Sequence, residues 1–118
     1  MTADPRGYGF HATLKAPFEL AEDTNEAELI AFASDFAARR RAFEAEIEAG
    51  AIGSFQAFRL REPSPEMDDL HTACVREFDA FRAPISDPDL ARRRRAGLSP
   101  TEDERLVRWG YPYIFEDF

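Results

Sequence analysis

Three serine-proline junctions constrain the second half of this chain more firmly than anything else in it. They are Pro63-Ser64-Pro65, Ser86-Asp87-Pro88-Asp89 and Ser99-Pro100-Thr101-Glu102. A serine hydroxyl ahead of a helix accepts from an amide of the first turn. Proline at the first helical position loses nothing, because its missing N–H would have had no partner there. The last junction is a full capping box and predicts a helix to about Arg108, stopped by Gly110. After Ser64 or Pro65, the residues Leu70, Ala73, Cys74, Glu77 and Phe78 recur at three- and four-residue steps, which predicts a second helix. After Ser86 a short helix over residues 90–95 is expected, with Gly97 as its left-handed stop.

The first half mixes both periodicities. Asp23 or Thr24 is expected to cap a helix whose acidic first turn holds Glu26 and Glu28. Ala27, Ile30, Ala33, Phe36 and Ala37, flanked by Leu29, form the face expected to pack on a sheet. Arg39-Arg40-Arg41 closes that helix as a solvated terminus. Residues 43–48 alternate apolar and acidic, and residues 54–60 read as a second strand, so the two predict a hairpin turning through Gly50 and Gly53. Residues 111–118 are aromatic and β-prone and want a neighbour on either side. The class is therefore α+β, an antiparallel sheet with helices packed on one face. Residues 1–118 are expected to form a single domain.

Composition narrows the function. With 118 residues, 44% hydrophobic and eleven Phe, the chain can bury one core. A net charge of −8 argues against general nucleic-acid binding, which needs basic surface to displace counterions. The single Cys74 has no partner for an intramolecular disulfide, and its place in an apolar helical stripe reads as a packed thiol. The N-terminus lacks a basic region followed by an apolar one, and no apolar run approaches the length of a membrane span. A cytoplasmic protein is expected.

Residues 6–18, Arg-Gly-Tyr-Gly-Phe-His-Ala-Thr-Leu-Lys-Ala-Pro-Phe, carry the chemistry. As an extended strand they would turn Phe10, Ala12 and Leu14 to one face and His11, Thr13 and Lys15 to the other. Such a row could hold a phosphate, Thr13 and Lys15 donating to its oxygens and His11 moving a proton. Arg6 and Tyr8 stand on its approach and join Lys15 as substrate-binding candidates. The chemistry equally allows a half-exposed face whose polar residues do nothing. Of the four consecutive arginines 92–95, at most one or two could converge on a ligand, since they face nearly every direction around a helix. His71 lies beside the apolar stripe of its helix and reads as a structural or surface residue.

The string over residues 6–18 resembles the first signature of a bacterial family of phosphonate-metabolism proteins, DUF1045, placed within the 2H phosphoesterase superfamily with 2′,3′-cyclic phosphodiesterases and RNA ligase-like (LigT-like) esterases. Further matches are Ala73-Cys74-Val75-Arg76, Phe78-Asp79-Ala80-Phe81-Arg82-Ala83-Pro84, Leu90-Ala91-Arg92-Arg93-Arg94 and Arg108-Trp109-Gly110-Tyr111-Pro112-Tyr113. The resemblance implies a bilobal α+β fold whose halves each carry a His-x-Thr/Ser strand facing one groove. One histidine acts as base and the other as acid, the hydroxyls hold the phosphate, and no metal or cofactor is needed. It implies His11 and Thr13 as catalytic residues.

Family members add a strand before this motif and a second His-x-Thr after the Trp-Gly-Tyr-Pro-Tyr segment. The chain is therefore expected to be a 2H-like domain incomplete at both ends, with half of the catalytic pair. Three accounts follow. The chain is a shortened cyclic phosphodiesterase without turnover; or a homodimer, pairing through its C-terminal edge strand, brings two His11–Thr13 rows together; or it is a non-catalytic module binding a small phosphate ester or a protein partner. An interaction domain in which the His11 row is incidental is the remaining alternative.

Overall fold

A computed structural model describes residues 11–52 and 55–118. Four α-helices and a two-stranded antiparallel sheet make up its regular structure among those residues, so the class is α+β. In chain order they are α1 (Glu26–Ala38), β1 (Ile47–Ile52), β2 (Phe55–Leu60), α2 (Pro65–Glu77), α3 (Asp87–Arg94) and α4 (Pro100–Trp109). Single 3₁₀ turns follow α2 at Phe78–Phe81 and close the chain at Phe115–Asp117.

The serine caps operate as their chemistry requires. Ser64, Ser86 and Ser99 accept from the amides of Met67, Asp89 and Glu102, and the Glu102 carboxylate accepts in return from the Ser99 amide at 2.8 Å. At the start of α1 the cap is Asn25 instead of Asp23 or Thr24. The Thr24 hydroxyl donates to the Ala21 carbonyl in the preceding turn, which leaves the Asn25 side chain to accept from Glu28. Helix α3 begins at Asp87, one turn's worth of capped residues before the expected Leu90.

The hairpin forms, shifted toward the C-terminus of its first strand. Ile47 faces Leu60 and Ile52 faces Phe55, so Gly50 sits within β1 opposite Ala57 and not in the turn. Residues 43–46 stand before the ladder, although the Glu46 carbonyl accepts from the Arg61 amide at 2.9 Å.

Among the described residues, the ring contacts of helix α1 are with the 3₁₀ turn after α2 and not with the sheet expected for it. Its buried contact is aromatic: Phe32 meets Phe78 edge-on at 5.0 Å and Phe81 at 5.1 Å, and Phe36 meets Phe78 at 5.1 Å. Ile30 is 58% exposed, so the expected face is rotated toward Phe32 and Phe36. Large rings reach across to the 3₁₀ turn where alanines cannot. The arginine terminus is acid-paired: Arg39 bonds Asp35, and Arg40 reaches Glu77 at 2.7 Å while lying 4.4 Å from the Phe36 ring. The core continues through Cys74, Val75, Phe81, Leu106 and Ile114.

The C-terminal stretch is not a strand. It runs irregularly from Tyr111 and turns as a 3₁₀ helix at Phe115–Asp117. Side chains take its backbone instead of a ladder: Arg105 donates to the Ile114 carbonyl at 2.8 Å, and the Phe115 amide donates to the His71 ring at 3.0 Å. The edge pairing expected of this segment in a homodimer therefore has no strand to start from.

Gly110 ends α4 in the left-handed region, at φ 83°, and its amide returns to the Leu106 carbonyl. A Cβ built there would stand 2.9 Å from the Arg82 Nη1 atom. Gly110→Ala is expected to cost about 2 kcal/mol, from the positive φ and the displaced guanidinium together. A lowered urea midpoint at unchanged slope would show it, and an unshifted midpoint would refute it.

Candidate functional site

Residues 11–18 are irregular, with a bend at Leu14-Lys15, and not the strand expected of them. No strand lies alongside them among the described residues. The backbone is held by side chains instead: the Leu14 carbonyl accepts from His71 Nδ1 at 2.8 Å, and Pro17 has no amide to offer a ladder. Just beyond, Leu20 makes an isolated antiparallel bridge to Arg82.

The bend breaks the alternating row. His11 and Thr13 are exposed, while Lys15 turns inward. Its ammonium donates to the Val75 carbonyl at 3.0 Å, near the C-terminal end of α2, and lies 3.7 Å from Asp79. A cation there meets carbonyls that the helix leaves unpaired. Burial lowers the Lys15 pKa from its ordinary range, an effect the Asp79 carboxylate partly offsets. Arg6 and Tyr8 lie outside the described residues.

Asp79 ties together three parts of the chain. Its carboxylate accepts from Arg82 at 2.9 Å and from Arg108 at 3.0 Å, besides facing Lys15. Burial pushes its carboxyl up, but the hydrogen bonds from Arg82 and Arg108 outweigh that and hold it below the usual range. Arg82 is fully engaged, donating also to the carbonyls of Ala83 and Arg108.

Two cavities flank this segment. The larger, about 520 Å³, is lined by Thr13, Lys15, His71, Arg93, Tyr113 and Phe118 among others. The smaller, about 310 Å³, lies between residues 15–19, α3 and the end of α4. They share Lys15, Ala16, Pro17, Arg93, Tyr111 and Ile114, so they abut. Thr13 and Lys15 thus come together on one wall, whereas His11 is not among the residues lining either cavity.

Arg93 stands at the junction. Its neighbours are spoken for: Arg92 bonds Asp89 at 2.9 Å, and Arg94 grips Asp103 with two nitrogens at 2.7 and 3.1 Å. Arg93 makes no ion pair among the described residues and lies 4.9 Å from the Tyr111 ring. The run of four arginines does not itself say which of them lines a cavity; the fold places Arg93 on both and Arg92 on the smaller one.

His71 is 3% exposed and makes two hydrogen bonds. The Phe115 amide can only donate, so Nε2 accepts and Nδ1 carries the proton given to Leu14. The neutral ring stacks on Phe118, centroids 3.9 Å apart and 8° from parallel. Burial lowers its pKa, with the Leu14 hydrogen bond and the Asp68 charge opposing. Its role is structural, joining residue 14, α2 and the C-terminal turn. Burial likewise raises the pKa of the packed Cys74 thiol. Among the described residues no cluster of three His, Cys, Asp or Glu could hold a metal ion, and no helix is long and apolar enough to cross a membrane.

Comparison with known proteins adds kinship. The family model described as a protein of unknown function, DUF1045, matches residues 13–118. The protein named ribose 1,5-bisphosphate phosphokinase PhnN of Janthinobacterium sp. (strain Marseille) is 46% identical over 117 residues, 98% of this chain and 26% of its own length. One of the same name from Laribacter hongkongensis (strain HLHK9) is 38% identical over 109 residues, 92% of this chain and 25% of its own. The chain thus spans about a quarter of the length of these curated relatives. No solved structure matches significantly. Since the family match runs from Thr13 on the cavity wall, through Arg93 and Tyr111, to Phe118, the chain belongs to the DUF1045 family.

Proposed function

We propose that this chain forms part of a phosphate-ester site of the 2H phosphoesterase kind, acting on or binding a cyclic phosphodiester of a nucleotide or ribose in phosphonate metabolism. The supporting observation is the wall that Thr13 and Lys15 share with Arg93, an arginine without an acidic partner among the described residues. In a protein of net charge −8 a cation left unneutralised beside a hydroxyl is a local anion site. The curated relatives' name refers to a sugar carrying two phosphates, which fits the same ligand class. These 118 residues contain no Gly-x₄-Gly-Lys-Ser/Thr loop, so a P-loop is not what would hold the phosphate here.

In this reading Thr13 donates to a phosphate oxygen and His11 exchanges the proton of the attacking or leaving oxygen. Lys15 holds the bend that presents Thr13, its ammonium being engaged by Val75 and Asp79. In-line displacement needs a proton acceptor on one side and a donor on the other. A second copy or a further segment would have to supply the other group. That His11 lies off the cavity walls favours the alternative, a phosphate-ester-binding module without turnover.

Hydrolysis of 2′,3′-cyclic nucleotides, followed with wild type, His11→Ala and Thr13→Ala, tests the proposal alongside calorimetric binding of ribose 5-phosphate. Turnover abolished by His11→Ala establishes the esterase reading. Binding weakened about tenfold by Thr13→Ala, without turnover, establishes the binding module. No binding and no turnover would sink both.

A further inference from the structure

Resting on that reading, we infer that Arg93 and the smaller cavity determine which phosphate ester is taken: Arg93 grips the phosphate, and the smaller cavity receives a neutral, ring-bearing alcohol part such as a nucleoside. The two cavities abut along a shared boundary that includes Lys15, Arg93 and Tyr111. Lys15 is held by the Val75 carbonyl and Asp79, which leaves Arg93 as the boundary cation able to turn its guanidinium to a ligand. Its planar fork matches two phosphate oxygens, and stacking near Tyr111 holds it without neutralising it.

The two sides of that boundary differ in chemistry. Thr13 opens only on the larger cavity. The smaller one presents the rings of Phe18, Trp109 and Tyr111 with Ile85. Its Asp89 and Arg92 pair with each other and its Arg82 is engaged by Asp79, which leaves the Glu19 carboxylate without an ion pair among the described residues. The Glu19 carboxylate disfavours a second phosphate on this side and can accept from the amino and hydroxyl groups of an uncharged ring system. Its volume of about 310 Å³ sits at the lower end of small-molecule sites, enough for one ring system and not for a polymer. A phosphate ester straddling the boundary therefore places its charge beside Thr13 and Arg93 and its organic part among the rings.

The test is calorimetric binding of inorganic phosphate, ribose 5-phosphate and adenosine 5′-monophosphate to wild type, Arg93→Gln and Ile85→Trp, with Ala83→Met as a milder block of the smaller cavity. Thermal unfolding confirms that each variant is folded. Adenosine monophosphate is expected to bind at least about tenfold tighter than ribose 5-phosphate, the worth of one desolvated ring contact. Ile85→Trp or Ala83→Met should remove that advantage and bring the two esters to comparable affinity. Arg93→Gln should weaken both esters by about tenfold or more, the loss of a charge-assisted pair. Equal binding of the two esters to wild type, or an advantage that survives both cavity blocks, would overturn the inference while phosphate-ester binding stood. Unchanged binding to Arg93→Gln would likewise overturn it. Absence of binding by all three probes would defeat the underlying reading itself.

Discussion

Asp79→Asn is expected to destabilise the fold by about 3 kcal/mol, because it removes the negative charge shared by cations from three places in the chain, two of them largely buried. Lys15 and Arg82 are each only 10% exposed, and Arg108 brings in α4. Without the carboxylate, two cations remain in poorly solvated positions facing each other. The substitution keeps the shape and deletes the charge, so the loss reports electrostatics and not packing. Urea denaturation measures it; a change below about 1 kcal/mol, the scale of an exposed pair, would show that solvent already screens the cluster. The Asp79 pKa is depressed in the folded chain, so its contribution is present above the ordinary carboxyl value of 3.8 and is lost as pH falls through the lower folded value. Wild type should therefore shed this stability in strong acid, and Asp79→Asn should have none of it to shed.

His71→Leu is expected to cost a similar amount, about 3 kcal/mol, by leaving the Leu14 carbonyl and the Phe115 amide without their ring partner. Both bonds are short, 2.8 and 3.0 Å, and among the described residues neither group has another hydrogen-bond partner. The stack on Phe118 is lost as well. The titration has a definite sign. Folding holds the ring neutral, with its pKa below the ordinary 6.5, so the unfolded chain binds a proton first as pH falls. Stability is full above pH 6.5 and declines from there toward the folded value. A protonated Nε2 would face the Phe115 N–H, which can only donate. The decline should vanish in His71→Leu and persist in His11→Ala, which removes the other of the two histidines. A wild-type chain equally stable at pH 7.5 and 5.5 would contradict the assignment. Release of the C-terminal turn should accompany acid destabilisation, visible as faster exchange of the Phe115 amide.

Local signals were readable where a residue acts on its own backbone neighbours. Serine hydroxyls at 64, 86 and 99 find amides three residues on, and Gly110 alone supplies the positive φ that stops α4. The hairpin was legible from alternation, though its ladder begins later than the pattern does. Thr13 and Lys15 were recognised as polar residues of one short stretch, and they do share a cavity wall. Their row was not a strand, because strand formation needs a neighbouring backbone that no local pattern reports.

Sequence by itself therefore determined what is settled within about four residues: helix starts and stops and the turn-linked hairpin. Tertiary structure alone decided that Phe32 joins Phe36 against the 3₁₀ turn, that Asp79 gathers Lys15, Arg82 and Arg108, that His71 joins residues 14 and 115, and that Arg93 lines both cavities without an ion pair among the described residues. The physical reason is range. Capping and turn geometry act through adjacent backbone, whereas the partner of a buried charge or imidazole is chosen by which distant segments the packed core brings within 3 Å.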